Sequence, residues 1–302
     1  MQMIEDTVDR TQSIGGSDVA AVLGLHPWKS PVDVYLEKTA RVVDDEESEP
    51  AYWGKRLEGL VADEWAQRTG HAVRRVNRTL RHRDHSLLTA HIDRKVLRHS
   101  ALLECKTAGA FVADGWGPSG TDEVPDYYLT QVLHYLEVTG YRWAAVGALI
   151  GGQEFRTYTI GADRDLQQRM VDECLRWWEV HVENDVPPAP RNPAEAGRLF
   201  PRARLDSQVE AGPDTEGLVT DLKTATAARK EAQKREDELK AQVLDRMEDS
   251  ERLVAADGRT RAPWKAPAPS RSVDGTARKA GDPAVAEKYS VERSGSRRFL
   301  VK

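Results

Sequence analysis

The stretch LLTAHIDRKVLRHSALLECKTA, residues 87–108, decides how this chain is read. It reads as two short strands, SLLTAHID and ALLECKT, each carrying an acidic residue near its end. Asp93 closes the first, and Glu104 stands two places before Lys106 in the second. Charge inside apolar strand segments is expensive to bury unless it is paired. Strand side chains alternate faces, so Glu104 and Lys106 share one face and Cys105 points to the other. Asp93 lies beside them if its strand pairs with the Glu104 strand. Two carboxylates meeting at one point raise each other's pKa, and a hard divalent cation removes that conflict. Mg2+ takes one or two carboxylates with waters and phosphate oxygens, while a nearby lysine can orient water or stabilise charge on a phosphate. Asp followed by Glu-x-Lys therefore fits a phosphodiester-cleaving centre. A structural Glu104–Lys106 ion pair at a strand edge fits the same spacing.

Working outward, three features bear on that choice. Helical spacing of Trp53, Leu57, Leu60, Val61 and Trp65 predicts an amphipathic helix in AYWGKRLEGLVADEWAQRTG, ended by Gly70. Glu58 falls at the edge of its apolar stripe, although Glu64 lies deeper in the same stripe. Gln131, in VPDYYLTQVLHYLEVTG, shares a helix face with Tyr128 and Tyr135, as a site border or as a buried amide satisfied by backbone. GGSD, at the start of a short apolar helix, suits an anion or serves as a plain N-cap.

The rest of the chain frames this centre. Ser30 and Pro31 start a second helix, SPVDVYLEKTA, and VVDDEESEP is an acidic loop. HAVRRV is a strand, GAFVADGWGPSG a Gly-rich loop, and WAAVGALIGGQEFRTYTI a hairpin turning at Gly151-Gly152. A helix is expected from about 163 to 181, then the Pro-rich NDVPPAPRNP. EGLVTDLKTATAARKEAQKREDELKAQVLDRMEDSERLV reads as a solvated or loosely packed helix pair, or as a partner or self-association helix. ADGRTRAPWK looks like a hairpin, and the tail VERSGSRRFLVK is basic.

With 302 residues and 39% hydrophobic content, the chain suits one large domain with an appendage. Two cysteines, Cys105 and Cys174, exclude a disulfide framework and any four-cysteine zinc or iron–sulfur site built by this chain alone. There is no leader-like h-region or membrane-length apolar run, so a cytoplasmic protein is expected. A net charge of -5 argues mildly against nucleic-acid binding, yet RRVNRTLRHRDH offers Arg74, Arg75, Arg78, Arg81 and Arg83 as a local patch or as plain surface arginines.

In order and spacing, IGGSDVAAVLGLHPWKSPVDVYLEKTA, WGKRLEGLVADEWAQRTG, AHID, LLECKTA, VPDYYLTQVLHYLEVTG and WAAVGALIGGQEFRTYTI resemble the YqaJ-type viral recombinases. These are relatives of the phage lambda-type alkaline exonucleases within the PD-(D/E)xK nucleases. The resemblance covers roughly residues 10 to 185. It implies an α/β, restriction-endonuclease-like core with a mixed central sheet flanked by helices, over residues 1–187, then a linker (188–215) and a mostly helical, basic extension (216–302). It implies a Mg2+-dependent 5′-to-3′ exonuclease on duplex DNA ends, acting in recombination in a bacterial host cytoplasm, with Mn2+ as a substitute metal. Carried over residue by residue, Glu58, Asp93 and Glu104 would bind metal, Lys106 would be catalytic, and Gln131 would stand beside the site. Arg10, seven residues before Ser17, has the spacing of the pair that holds the DNA 5′-phosphate. Ile92 replaces the proline of the motif's name. A homo-oligomer is also implied. The readings that stay open are an endonuclease or repair nuclease, and a DNA-end-binding module that recruits a single-strand annealing protein.

Overall fold

The structure, a computed structural model, describes residues 9–42, 48–204 and 206–265. The basic tail and the middle of the acidic loop lie outside the described residues. The chain divides into two compact units, residues 1–200 and 201–302.

In chain order the first unit contains α1 (Gly16–Val22), α2 (Pro31–Lys38), α3 (Glu49–Thr69), β1 (Val73–Arg75), β2 (Leu80–Arg81), β3 (Thr89–Ala90), β4 (Arg94–Val96) and β5 (Ala101–Ala108). It continues with α4 (Asp126–Thr139), β6 (Trp143–Ile150), β7 (Glu154–Gly161), α5 (Arg164–Trp178) and α6 (Pro193–Leu199). Five strands form one mixed sheet in the order β1-β4-β5-β6-β7. The β5–β6 pair is parallel, and α4 makes the crossover that a parallel pair requires. The other pairings are antiparallel, and β6 turns into β7 through Gly151 and Gly152, both at positive φ.

Strand alternation sorts the core into two layers. Leu102, Ala144 and Val146 face a large apolar cluster that includes Val132 and Leu136 of α4 and Val171 of α5. Leu103, Ala145 and Val96 face Ala62 and Trp65 of α3. The sheet is thus covered by helices on both faces, the restriction-endonuclease-like arrangement the resemblance implies.

Several local expectations change in the folded chain. The strand ending in Asp93 is short: β3 holds only Thr89–Ala90, and Asp93 occupies a bend just before β4. The stripe of α3 is narrower than its periodicity, because Trp53 and Leu60 are exposed while Val61, Ala62 and Trp65 are buried. Residues 193–199, within the stretch read as linker, form α6, whose Arg198 pairs with Asp33 of α2. In the second unit one continuous 35-residue helix, α7 (Pro213–Met247), replaces the helix pair. The hairpin β8 (Arg252–Val254) and β9 (Thr260–Pro263) follows it.

Candidate active site

The central group lies on β5, facing α4. The Lys106 ammonium donates to Glu104 Oε1 at 2.7 Å and to Gln131 Oε1 at 2.9 Å. The Gln131 amide nitrogen donates to the same Glu104 oxygen and to the Tyr135 hydroxyl, both at 2.9 Å. Tyr128 places its ring 4.7 Å from the Lys106 ammonium, a cation–π contact. The helix stripe of Tyr128, Gln131 and Tyr135 therefore borders the site, and Gln131 is satisfied by side chains rather than by backbone. Burial by itself would depress the lysine, but the Glu104 and Asp93 charges outweigh it and keep Lys106 protonated. Burial pushes the Glu104 carboxyl up despite the lysine beside it.

Asp93 meets this group from the bend just before β4. Its Oδ2 accepts the Cys105 backbone N–H at 2.7 Å. Burial, then the Glu104 charge, pushes its pKa up to about 8. Glu58 comes from α3 but pairs with Arg94, whose guanidinium also donates to the Asp93 carbonyl oxygen at 2.8 Å. Among the described residues no three His, Cys, Asp or Glu side chains are gathered as a metal-holding set. Two observations nonetheless fit a cation. Glu104 Oε2 is buried with no hydrogen-bond partner. The adjoining Asp93 is driven toward its neutral form by burial and by the Glu104 charge, a conflict that a cation would relieve. An all-oxygen donor set of this kind suits a hard ion such as Mg2+.

Arg10 and Ser17 come together at a second place. They line one cavity of about 340 Å3 with Ser13, Lys38, His91 and Tyr135. Ser17 also borders an adjoining cleft that reaches Lys106 and Gln131. GGSD starts α1, and Asp18, in its first turn, accepts the N–H of the N-cap Gly15 at 3.1 Å. Burial would raise Asp18, but Lys29 and Lys38, at 3.0 and 2.7 Å, hold it at about 2. Gly16 allows α1 to lie on α4: a Cβ there would stand 2.4 Å from a Tyr135 ring carbon.

Sequence reasoning missed Arg94, Lys38 and Lys29, whose partners are distant in sequence and leave no periodic signal. The arginine patch divides. Arg83 pairs with Asp84, and Arg81 donates to the Ser86 carbonyl oxygen. Arg74, Arg75 and Arg78 line one cleft with Lys95. Edge strand β1 carries this cleft next to the site, since the Val76 N–H donates to the Asp93 carbonyl oxygen at 3.4 Å.

Fold and site together define an α/β protein whose mixed sheet presents an acidic–lysine cluster beside a polar cavity lined by Arg10, Ser17 and the Lys38–Asp18 pair. A family model, the YqaJ-like viral recombinase domain, matches residues 7–142. The whole chain is 33% identical, over 316 aligned residues, to the uncharacterised protein YqaJ of Bacillus subtilis (strain 168), covering 95% of it. The chain belongs to the YqaJ-like viral recombinase family. Its fold is similar to that of an alkaline exonuclease, LHK-Exo, from Laribacter hongkongensis, with a TM-score of 0.47 and 17% identity over 63% of this chain and 96% of that one. A phage-related exonuclease from Haemophilus somnus 129PT gives a TM-score of 0.43 and 12% identity over 58% and 96% of the two chains.

Proposed function

We propose that this chain is a metal-dependent DNA nuclease, acting as a 5′-to-3′ exonuclease on duplex ends in phage-type recombination. The observation that carries the reading is the Glu104–Lys106–Gln131 network, with an unpartnered Glu104 oxygen and a half-buried Asp93 beside it. Asp93 and Glu104, with Glu58 as third carboxylate, would hold Mg2+, or Mn2+ in its place. When bound, the ion supplies Lewis-acid polarisation of the phosphate and a lowered pKa for water. Gln131 fixes Glu104 and Lys106 relative to each other. Lys106 orients the water that attacks phosphorus in line, so the P–O3′ bond breaks and the remaining strand keeps a 5′-phosphate. Arg10 and Ser17 supply a cation and a hydroxyl for that phosphate in a cavity adjoining the cleft, which favours end-directed over internal cutting. The cations of the β1 cleft suit the duplex backbone. The exposed Leu218, Leu222, Leu239 and Val243 of α7 suit a protein partner, for which a single-strand annealing protein is our candidate.

The test is digestion of linear duplex labelled at either end, beside a covalently closed circle, with and without Mg2+. Metal-dependent loss from a 5′-phosphorylated end, a fall of at least ~100-fold in Lys106→Ala and an intact circle are expected. Equal digestion by wild type and Lys106→Ala would sink the nuclease reading. Cutting of the circle would replace the exonuclease with an endonuclease.

A further inference from the structure

The loop between α1 and α2 carries a tryptophan that the chemistry above does not use. Trp28 is 69% exposed, an unfavourable placement for a large apolar ring. The loop under it is nevertheless braced. His26 Nδ1 accepts the backbone N–H groups of Trp28 and Lys29, at 3.2 and 2.9 Å. Lys29 is tied in turn to Asp18 and Glu37, at 3.0 and 2.7 Å. The indole meets Tyr127 at 5.5 Å and His26 at 5.8 Å, with the planes 74° and 75° apart. Neither neighbour stacks flat on it. Tyr127 continues to Tyr128 at 4.2 Å, and Tyr128 carries the Lys106 ammonium on its ring. Trp28, Tyr127, Lys106 and Gln131 line one cleft of about 250 Å3.

A rigid, water-exposed aromatic at the mouth of a phosphodiester-cleaving cleft matches one ligand chemistry, the π-face of a nucleobase. We propose that Trp28, backed by Tyr127, is a stacking platform for the base of the nucleotide adjoining the scissile phosphate. The inference rests on the nuclease reading for its location. Stacking tolerates any base, so the platform positions the strand without imposing sequence preference. It also favours an unpaired base over a paired one, because a base inside the duplex offers no free face. Trp28 thereby holds the strand end while Lys106 and its partners act on the phosphate.

The experiment uses the full chain in EDTA, so that DNA is bound but not cut. Duplexes with a 5′-phosphate carry 2-aminopurine at the first, second or third nucleotide. Wild type is expected to change the fluorescence at one of these positions, Trp28→Phe to keep the change, and Trp28→Ala to lose it. Affinity for the intact duplex should fall about 5- to 100-fold in Trp28→Ala. A duplex abasic at the responding position should bind wild type as weakly as the intact duplex binds Trp28→Ala, with no further loss when both changes are combined. An unchanged fluorescence signal in Trp28→Ala, independent additive losses, or no binding of these duplexes by wild type would overturn the platform. Adding Mg2+ to the same mixtures separates the two readings. Cleavage without a Trp28-dependent signal leaves the nuclease and removes the platform; a Trp28-dependent signal without cleavage does the reverse.

Discussion

At Asp93 folding and chemistry pull against each other. Burial and the Glu104 charge raise its pKa from 3.8 to about 8. A carboxyl raised on folding contributes stability that is fully present below its unfolded pKa and is lost as pH rises through the folded one. Without divalent cations, the wild type should therefore lose stability between about pH 4 and pH 8 relative to Asp93→Asn. Thermal melts in EDTA should show Asp93→Asn roughly 2–8 °C more stable at pH 8.5 and less advantaged at pH 5. A pH-independent difference would mean that Asp93 does not titrate in this way. The same variant should be inactive in cleavage. At this scale the sequence was readable where residues sit close in the chain. Glu104 and Lys106 share a face because strands alternate, and the structure has them bonded at 2.7 Å. Glu58 and Glu64 were not separable by helical period. In the fold Glu64 pairs with Arg68 along the helix, while Glu58 turns to Arg94 beside Asp93.

Between elements, the approach of α1 to α4 depends on one missing side chain. A Cβ on Gly16 would meet Tyr135 at 2.4 Å and Gln131 Cγ at 3.1 Å. Gly16→Ala should cost about 1–3 kcal/mol through overpacking and lower cleavage by displacing Gln131; a melt and a digestion together check it. The edge strand β1 makes a different prediction. Arg74 opposes Lys95 in register, and Arg75 and Arg78 complete the cleft. Replacing the three arginines with Gln should weaken DNA binding equally across sequences. It should also reduce the slope of log K against log salt by about 1 for each phosphate the protein no longer neutralises. A salt titration of wild type beside the triple variant measures this, and an unchanged slope would take the cleft off the DNA path.

For the whole molecule, a net charge of -5 coexists with a local cationic cleft at β1, so total charge says little about the partner. The cluster at Asp93, Glu104 and Lys106, the Arg10–Ser17 cavity and the β1 cleft all belong to the first compact unit, which ends at residue 200. Truncation after Phe200 should thus leave digestion of short linear duplex within a few-fold of the full chain. If α7 recruits an annealing protein, the same truncation should abolish its capture in a pull-down. Loss of cleavage instead would assign the C-terminal unit a part in the chemistry.

What the sequence by itself determined was local. Ser30 and Asp163 accept the backbone N–H groups of their own first turns, Gly70 ends α3 in the left-handed conformation, and Gly151-Gly152 turns the hairpin. Such features act within a single turn or along a single strand, so they survive being read without partners. The tertiary structure alone decided that Asp93 reaches Cys105 from a bend, that Gln131 bridges Glu104 and Lys106, and that Trp28 rests against Tyr127. It also decided which oxygens lose water. The raised pKa of Asp93 and the unpartnered Glu104 oxygen arise because distant helices and strands close over one end of the sheet. Desolvation by remote elements has no signature in the residues that suffer it.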